Sequence, residues 1–204
     1  MFSFFKRAKQ IYHQSKAEKK AFLRESLSAQ WFDFTAQERK NISLRAQARL
    51  SAYLDEIDAK RVLFYASMED EPSTDNILNE WLRDPEKTLV LTRVCNRTKQ
   101  LDPYKVESLE DLEMGRFRIR MPKTSCQQID LSEIDAVVVP GRAFDQKKNR
   151  IGRGFGFYDR FLCVIPKETT LIGLAFNFQV IDAVPVEEHD IPMDVIVTQS
   201  QVIK

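Results

Sequence analysis

The sequence predicts an α/β protein, a single domain built on an open, largely parallel sheet that two leading helices cover. Three observations carry this reading. Short apolar runs rich in β-branched residues, at 61–66 (RVLFYA), 88–94, 136–139, 171–176 and 195–198 (VIVT), alternate with stretches of helical pattern. No internal repeat or low-complexity linker divides the 204 residues, a length suited to one domain. Four of the six glycines, Gly141, Gly152, Gly154 and Gly156, fall in one segment behind a strand, where backbone must bend or approach something closely.

The opening, MFSFFKRAKQIYHQSKAEKK, holds no acidic residue before Glu18. Its apolar core is too short for a secretory signal, and serine is sparse for a transit peptide, so it reads as the first turns of a basic surface helix with His13 solvated. The helix continues over 16–27, with Ala17, Phe22, Leu23 and Leu27 at spacings that can share a face. Lys20 and Arg24 are four apart and lie on one side of it, by pattern alone a solvated pair. Thr35 opens a second helix through a capping box with Glu38, running to about Leu54 with Ile42, Leu44, Ala48 and Leu50 inward. Residues 1–57 thus form a basic helical arm packed on the body. A helix over 74–82, ended by Pro85, follows the first strand. Glu71, just past that strand, stands where open α/β sheets place ligands, with Met68 expected in the same pocket. Its bland alternative is a charge near a helix start that Ser73 or Thr74 caps. Residues 95–130 are the least informative, with short β-like runs at 104–106 and 117–119.

With 43% apolar and 30% charged residues and a net charge of +1, the chain is an ordinary soluble globular protein, not one that binds nucleic acid by bulk charge. No apolar run approaches the roughly 18 residues of a transmembrane helix. The three cysteines, Cys95, Cys126 and Cys163, share no metal-ligand spacing and point to a reducing compartment. A cytoplasmic monomer without nucleic-acid or membrane partners is the expectation. Glu187, Glu188, His189 and Asp190 resemble a metal cluster, yet one histidine among acids in a proline-flanked loop reads as structural.

The segment 134–162, IDAVVVPGRAFDQKKNRIGRGFGFYDRFL, is where chemistry concentrates. A strand stops at Pro140 and Gly141, a polar excursion follows, and GRGFG leads into a helix carrying Tyr158, Phe161 and Leu162. A glycine-rich turn that opens a helix presents unpaired N–H groups and a positive dipole end, which attract phosphate. Arg150 and Arg153 add fork-shaped donors, and Asp159 is a natural Mg2+ ligand beside phosphates. The spacing is neither a Walker A loop nor a dinucleotide fingerprint, so the glycines alone also fit a structural turn.

The longer string PG.AFD...NR.G.G.G.YDRFL resembles the signature of the 5-formyltetrahydrofolate cyclo-ligases, or methenyltetrahydrofolate synthetases. GLAFNFQVIDAVPVEEHDIPMDVIVT (173–198) is similar to that family's closing block, and YASMEDEPSTDNIL to an earlier one. These three blocks, in the right order, cover about the last two thirds of the chain. The resemblance implies a three-layer α/β fold related to sugar isomerases and CoA-transferase domains. It also implies ATP- and Mg2+-dependent cyclisation of 5-formyltetrahydrofolate to 5,10-methenyltetrahydrofolate. In that reaction ATP phosphorylates the formyl oxygen, N10 attacks the activated carbon, and phosphate departs. The protein then mainly positions reactants and neutralises charge, with no side-chain nucleophile.

On this resemblance Lys20, Arg24, Arg150, Gly152, Arg153, Gly154 and Gly156 would meet the ATP phosphates. Met68, Glu71, Phe157 and Tyr158 would hold the reduced folate, Asp159 and Asp194 the Mg2+, and Arg153 and Tyr158 would act in catalysis. By pattern alone Asp194 is a solvated strand start. Three positions depart from the family: Thr92 where proline is usual, Met121 where Glu or Gln is, and Phe157 where tyrosine is. A relative that binds nucleotide but has altered catalysis, or a regulatory or RNA-associated protein docking through its basic helices, are the alternatives.

Overall fold

The structure is a computed structural model and describes residues 15–95, 97–115 and 118–204. His13, Phe117 and the expected basic opening turns lie outside the described residues. Helix α1 (Lys16–Trp31) starts at a Ser15–Glu18 capping box, and α2 (Ala36–Glu56) at the expected Thr35–Glu38 box, each satisfying backbone N–H groups that a helix start leaves over. Their inward faces differ from the expectation. In α1, Leu27 and Trp31 are buried while Ala17 and Phe22 face solvent; in α2, Ala48 is exposed and Ile42, Ala46, Leu50, Tyr53 and Leu54 turn inward. Counting from Ile42, that set keeps the helical period, which the sequence pattern had placed slightly out of phase.

Next come β1 (Arg61–Phe64), α3 (Asp75–Trp81), β2 (Thr88–Val94), β3 (Leu101–Val106), β4 (Leu112–Met114) and β5 (Arg120–Pro122). Then follow β6 (Ala136–Pro140), β7 (Ala143–Asp145), β8 (Arg150–Ile151), α4 (Phe157–Leu162), β9 (Thr170–Leu174), β10 (Val180–Ile181), β11 (Val195–Val197) and β12 (Val202–Ile203). Beside the run expected at 117–119, whose first residue lies outside the described residues, β5 begins at Arg120. The main sheet has seven strands in the order β12-β11-β9-β6-β1-β2-β3, parallel from β11 to β2 with antiparallel edges.

Alternation along the strands sends Val62, Phe64, Val138 and Ile172 to one face, against Leu50 and Leu54 of α2 and Ile77, Leu78 and Trp81 of α3. Leu63, Val137, Val139 and Ile196 go to the other face, against Phe144 of β7 and Phe161 and Leu162 of α4. The result is three layers, helix, sheet and a mixed cover, as expected. Leu27 of α1 packs on Ala143, Ile151 and Val184 of the small β10-β7-β8 sheet and its surroundings, and Trp31 stacks on Phe176. From β1 the chain proceeds to β2 on one side and later to β6 on the other. The strand order therefore reverses between β1 and β6, which opens a crevice beyond their C-terminal ends.

Candidate active site

Two segments enter that crevice, one behind β1 and one behind β6. Behind β1, a tight turn brings the Glu71 carboxylate back onto the Met68 N–H at 2.9 Å and leaves Glu71 buried. Glu71 is no helix cap: α3 starts at Thr74, whose hydroxyl donates to the Tyr65 carbonyl instead. Arg153 crosses from the glycine segment. Its Nε donates to Glu71 at 2.9 Å, its Nη2 pairs with Asp70, and Arg142 holds the other Asp70 oxygen at 2.5 Å. Burial opposes charge on Asp70, but the two guanidinium groups outweigh it and hold its carboxyl below the usual range. Burial likewise opposes the Arg153 cation, and Asp70 and Glu71 more than offset this.

The hairpin of β7 and β8 presents the glycine segment. Its turn is wound around the buried Asp145 carboxylate, which accepts from the N–H groups of Lys147, Asn149 and Val184 at 2.9, 3.0 and 2.9 Å. Arg150, only 6% exposed, donates to the Pro140 carbonyl at 3.1 Å, pairs with Asp159 and lies against the Tyr158 ring. A Cβ on Gly152 would sit 2.8 Å from the Arg150 Nη1, so the glycine makes room for this guanidinium. Gly154 has φ +94°, a conformation that β-branched side chains resist. Gly156 is the left-handed N-cap of α4, which has just six residues. The dipole expected from a helix here is therefore small, and backbone N–H groups and arginines carry the electrostatics.

Helix α1 closes the crevice from outside, and here the solvated-pair reading of Lys20 and Arg24 is overturned. Lys20 is 6% exposed and its ammonium lies 2.6 Å from both Glu187 and Asp190. Burial works against its charge, but these carboxylates raise its pKa above the ordinary value and lower their own. One turn on, Arg24 donates from Nε to the Gly152 carbonyl at 2.9 Å. The ligand atoms of Glu187, His189 and Asp190 lie within 4.8 Å of one another, and the Lys20 ammonium pairs with both carboxylates, leaving the cluster one negative charge.

Asp194 is a correction. Its carboxylate accepts the Leu171 N–H at 2.8 Å, near the N-terminal end of β9, in a row of the sheet that continues to Val137. Asp159 hangs from Arg150, which is fastened to Pro140 three rows further along, about 10 Å at strand rise. The two carboxylates are therefore not brought together. The acid on the site side is Asp190, whose charge acts on Arg150. Tyr158 is a protonated phenol: burial pushes its pKa far above the ordinary value, and its partner is the Thr92 hydroxyl, at one of the departing positions. Phe157 packs into the lower core cluster under the Arg160 guanidinium.

Sequence reasoning missed Asp70, Arg142 and Asp190. Asp70 and Arg142 adjoin residues it did select, and their only signal was that adjacency. Gln179 ties the crevice floor by donating to the Gly141 carbonyl at 2.9 Å. Behind β1, a cavity of about 400 Å³ has Met68 and Glu71 on one wall and α2 on the other, within the size range of small-molecule sites.

An open parallel sheet with a cation-lined glycine turn and a cavity at its switch point makes an α/β architecture whose crevice is suited to an anionic ligand. Residues 16–199 match the model of the 5-formyltetrahydrofolate cyclo-ligase family, and the chain belongs to that family. A 5-formyltetrahydrofolate cyclo-ligase of Mus musculus is 28% identical over 188 residues, spanning 84% of this chain and 89% of that protein. One from Haemophilus influenzae is 32% identical over 145 residues, 69% of this chain and 76% of that one. The solution structure of Aquifex aeolicus 5,10-methenyltetrahydrofolate synthetase matches with a TM-score of 0.80 at 30% identity, covering 91% of this chain and 92% of that one.

Proposed function

We propose that this chain catalyses its family's reaction, the ATP-driven closure of 5-formyltetrahydrofolate to 5,10-methenyltetrahydrofolate with release of ADP and phosphate. The observation that carries this reading is the Arg153 bridge: one guanidinium joins the glycine segment to Glu71, so the groups suited to phosphate and those suited to folate meet at one point. ATP supplies the phosphoryl group that turns the formyl oxygen into a leaving group. The Gly152–Gly156 amides, Arg24 and Arg150 bind and orient its phosphates, and Lys20 holds the 187–190 turn against them. Arg153 sits where charge develops during transfer. Glu71 keeps lone pairs available for the amino and ring N–H groups of a pterin, and Met68 and Phe157 supply apolar contact. Tyr158 keeps its proton and acts as a hydrogen-bond donor, not as a base.

Asp159 and Asp190 offer hard oxygen ligands on the phosphate side, a donor set that fits Mg2+, which would neutralise charge on the transferred group. Asp194 has no part in this set. We read the protein as a cytoplasmic monomer; its three free cysteines fit a reducing compartment, and its net charge of +1 fits a protein that does not bind nucleic acid by bulk charge. The decisive assay mixes purified protein with 5-formyltetrahydrofolate, ATP and Mg2+ and follows the near-ultraviolet absorbance of methenyltetrahydrofolate. No absorbance change at enzyme-level protein concentration, or a change undiminished by a chelator, would overturn the respective parts of the reading.

A further inference from the structure

Two arginines of the crevice converge on one acid. Arg142, in the turn behind β6, and Arg153, in the glycine segment, pair with the two oxygens of the Asp70 carboxylate. Each arginine also has an anchor that does not involve Asp70. The Arg142 N–H donates to the Ile151 carbonyl at 2.7 Å and its carbonyl accepts from Gln179 at 3.4 Å, while Arg153 keeps Glu71 at 2.9 Å. Asp70 is the loose member of the group. The Met68 N–H pins Glu71, but no backbone N–H reaches the Asp70 carboxylate among the described residues, and its side chain is 23% exposed against 7% for Glu71. Apart from Asp70, the Arg142 guanidinium has no partner among the described residues.

Guanidinium forks fit carboxylate and phosphate oxygens alike, so two of them on one movable carboxylate describe a seat for an oxyanion that the protein's own acid fills. Leaving the seat empty would strand the largely buried Arg142 without a counter-charge, which is costly. A phosphoryl group, with three oxygens and more charge than a carboxylate, satisfies both forks while Asp70 turns out to water.

We propose that Arg142 and Arg153 form one seat for the phosphoryl group in transit from ATP, and that Asp70 closes this seat in the free protein and is displaced when the group arrives. The inference rests on the ATP-dependent reading above, to which it adds Arg142 as a further catalytic residue and Asp70 as a built-in competitor. Through Arg153 the seat adjoins both Glu71 on the folate side and the glycine segment on the ATP side. A ligand that must first displace a bound acid gives up part of its affinity. ADP lacks the transferred group, so Asp70 competes with ATP alone.

The test titrates ATP and ADP, each with Mg2+, into the wild type, Asp70→Asn, Glu69→Gln, Arg142→Ala and the Asp70→Asn/Arg142→Ala double variant, all checked for folding by circular dichroism. Asp70→Asn should bind ATP about tenfold more tightly, with ADP affinity within about twofold of the wild type. Glu69 is an exposed acid next door with no ionic partner among the described residues, so Glu69→Gln controls for a general gain in positive charge and should change neither affinity. Arg142→Ala should lower kcat about tenfold at a nearly unchanged KM for the folate, and in its background the gain from Asp70→Asn should shrink to about twofold. Unchanged or weaker ATP binding in Asp70→Asn, an equal gain for ADP or from Glu69→Gln, or a gain that survives Arg142→Ala intact would overturn the proposal. Should Asp70→Asn fail to fold, Asp70→Ser carries the same comparison, and a full kcat in Arg142→Ala overturns the seat by itself. A wild type that binds ATP yet cyclises no folate would overturn the folate reading and leave the seat to the titrations, whereas one that binds no ATP would overturn both.

Discussion

Carboxylates stand at both edges of the main sheet, but they bind different things. At the N-terminal edge, Asp135 accepts the N–H groups of Lys60 and Arg61 at 2.8 and 2.7 Å, and Asp194 accepts that of Leu171 at 2.8 Å. At the C-terminal edge, Asp70, Glu71, Asp159 and Asp190 face Arg142, Arg153, Arg150 and Lys20. A carboxylate on a strand N–H completes a ladder that has no other acceptor, and an arriving ligand has no way to take its place. One paired with a side-chain cation can exchange that partner for a phosphate or a metal ion as a ligand arrives. The C-terminal edge therefore stores pairs that a substrate can rearrange, while the N-terminal edge stores fixed ones.

The largest effect should come from the backbone that the exchangeable pairs surround. Gly154→Val places a β-branched side chain at φ +94°, with its Cβ 3.4 Å from the Arg24 guanidinium carbon. Turnover should fall by at least about a hundredfold and ATP binding should be nearly abolished. Titration calorimetry on protein shown folded by circular dichroism checks this. Normal ATP affinity would remove the phosphate cradle from the account.

Asp159→Asn tests exchange more directly. The buried Arg150 would lose its ionic partner, at a cost of about 2 kcal/mol in stability by urea unfolding. We also expect a kcat loss of about a hundredfold, with a raised Mg2+ requirement. A variant with an unchanged metal dependence would show that Arg150, not a cation, is the sole business of Asp159.

Glu71→Gln comes next, with KM for the folate raised about tenfold and ATP affinity nearly unchanged. Because Glu71 also steadies Arg153, a modest kcat loss should accompany it. Equal losses for both ligands would mean that the turn behind β1 had unfolded.

These same pairs mark the limit of what the sequence discloses. The strand over 88–94 and the Thr35 capping box were legible because their causes lie within a few residues: β-branched alternation in one case, a Thr-x-x-Glu spacing in the other. The grouping of Glu71, Arg153 and the glycines was legible through the resemblance, since each sits in a block with a fixed pattern. Lys20 was not, because the partners that bury it are 167 and 170 positions away, and a helical pattern cannot distinguish a solvated lysine from one neutralised across the fold. The same limit misled the choice between Asp190 and Asp194. Both lie in one matching block, four residues apart, and only sheet register shows that the chain between them runs from the crevice to the far edge of the sheet.

That choice yields the smallest expected effect. In Asp194→Asn the amide oxygen can still accept the Leu171 N–H, so what is lost is the charge on a part-buried hydrogen bond of an exposed residue, and stability should fall by about 0.5 kcal/mol. Activity should stay within about twofold of the wild type, with the Mg2+ titration superimposable, since a perturbation this small and remote leaves the crevice intact. Asp190→Asn is its counterpart across the same four residues. It leaves Lys20 one full carboxylate, Glu187, and removes the acid that acts on Arg150, so activity should fall by about tenfold or more and more Mg2+ should be needed. Measured side by side, the two variants differ by one position in kind: an acid on a side-chain cation against an acid on a strand. If Asp194→Asn lost metal dependence and Asp190→Asn kept it, the division between fixed and exchangeable carboxylates would fail, and the Mg2+ site would have to be rebuilt around the far edge of the sheet.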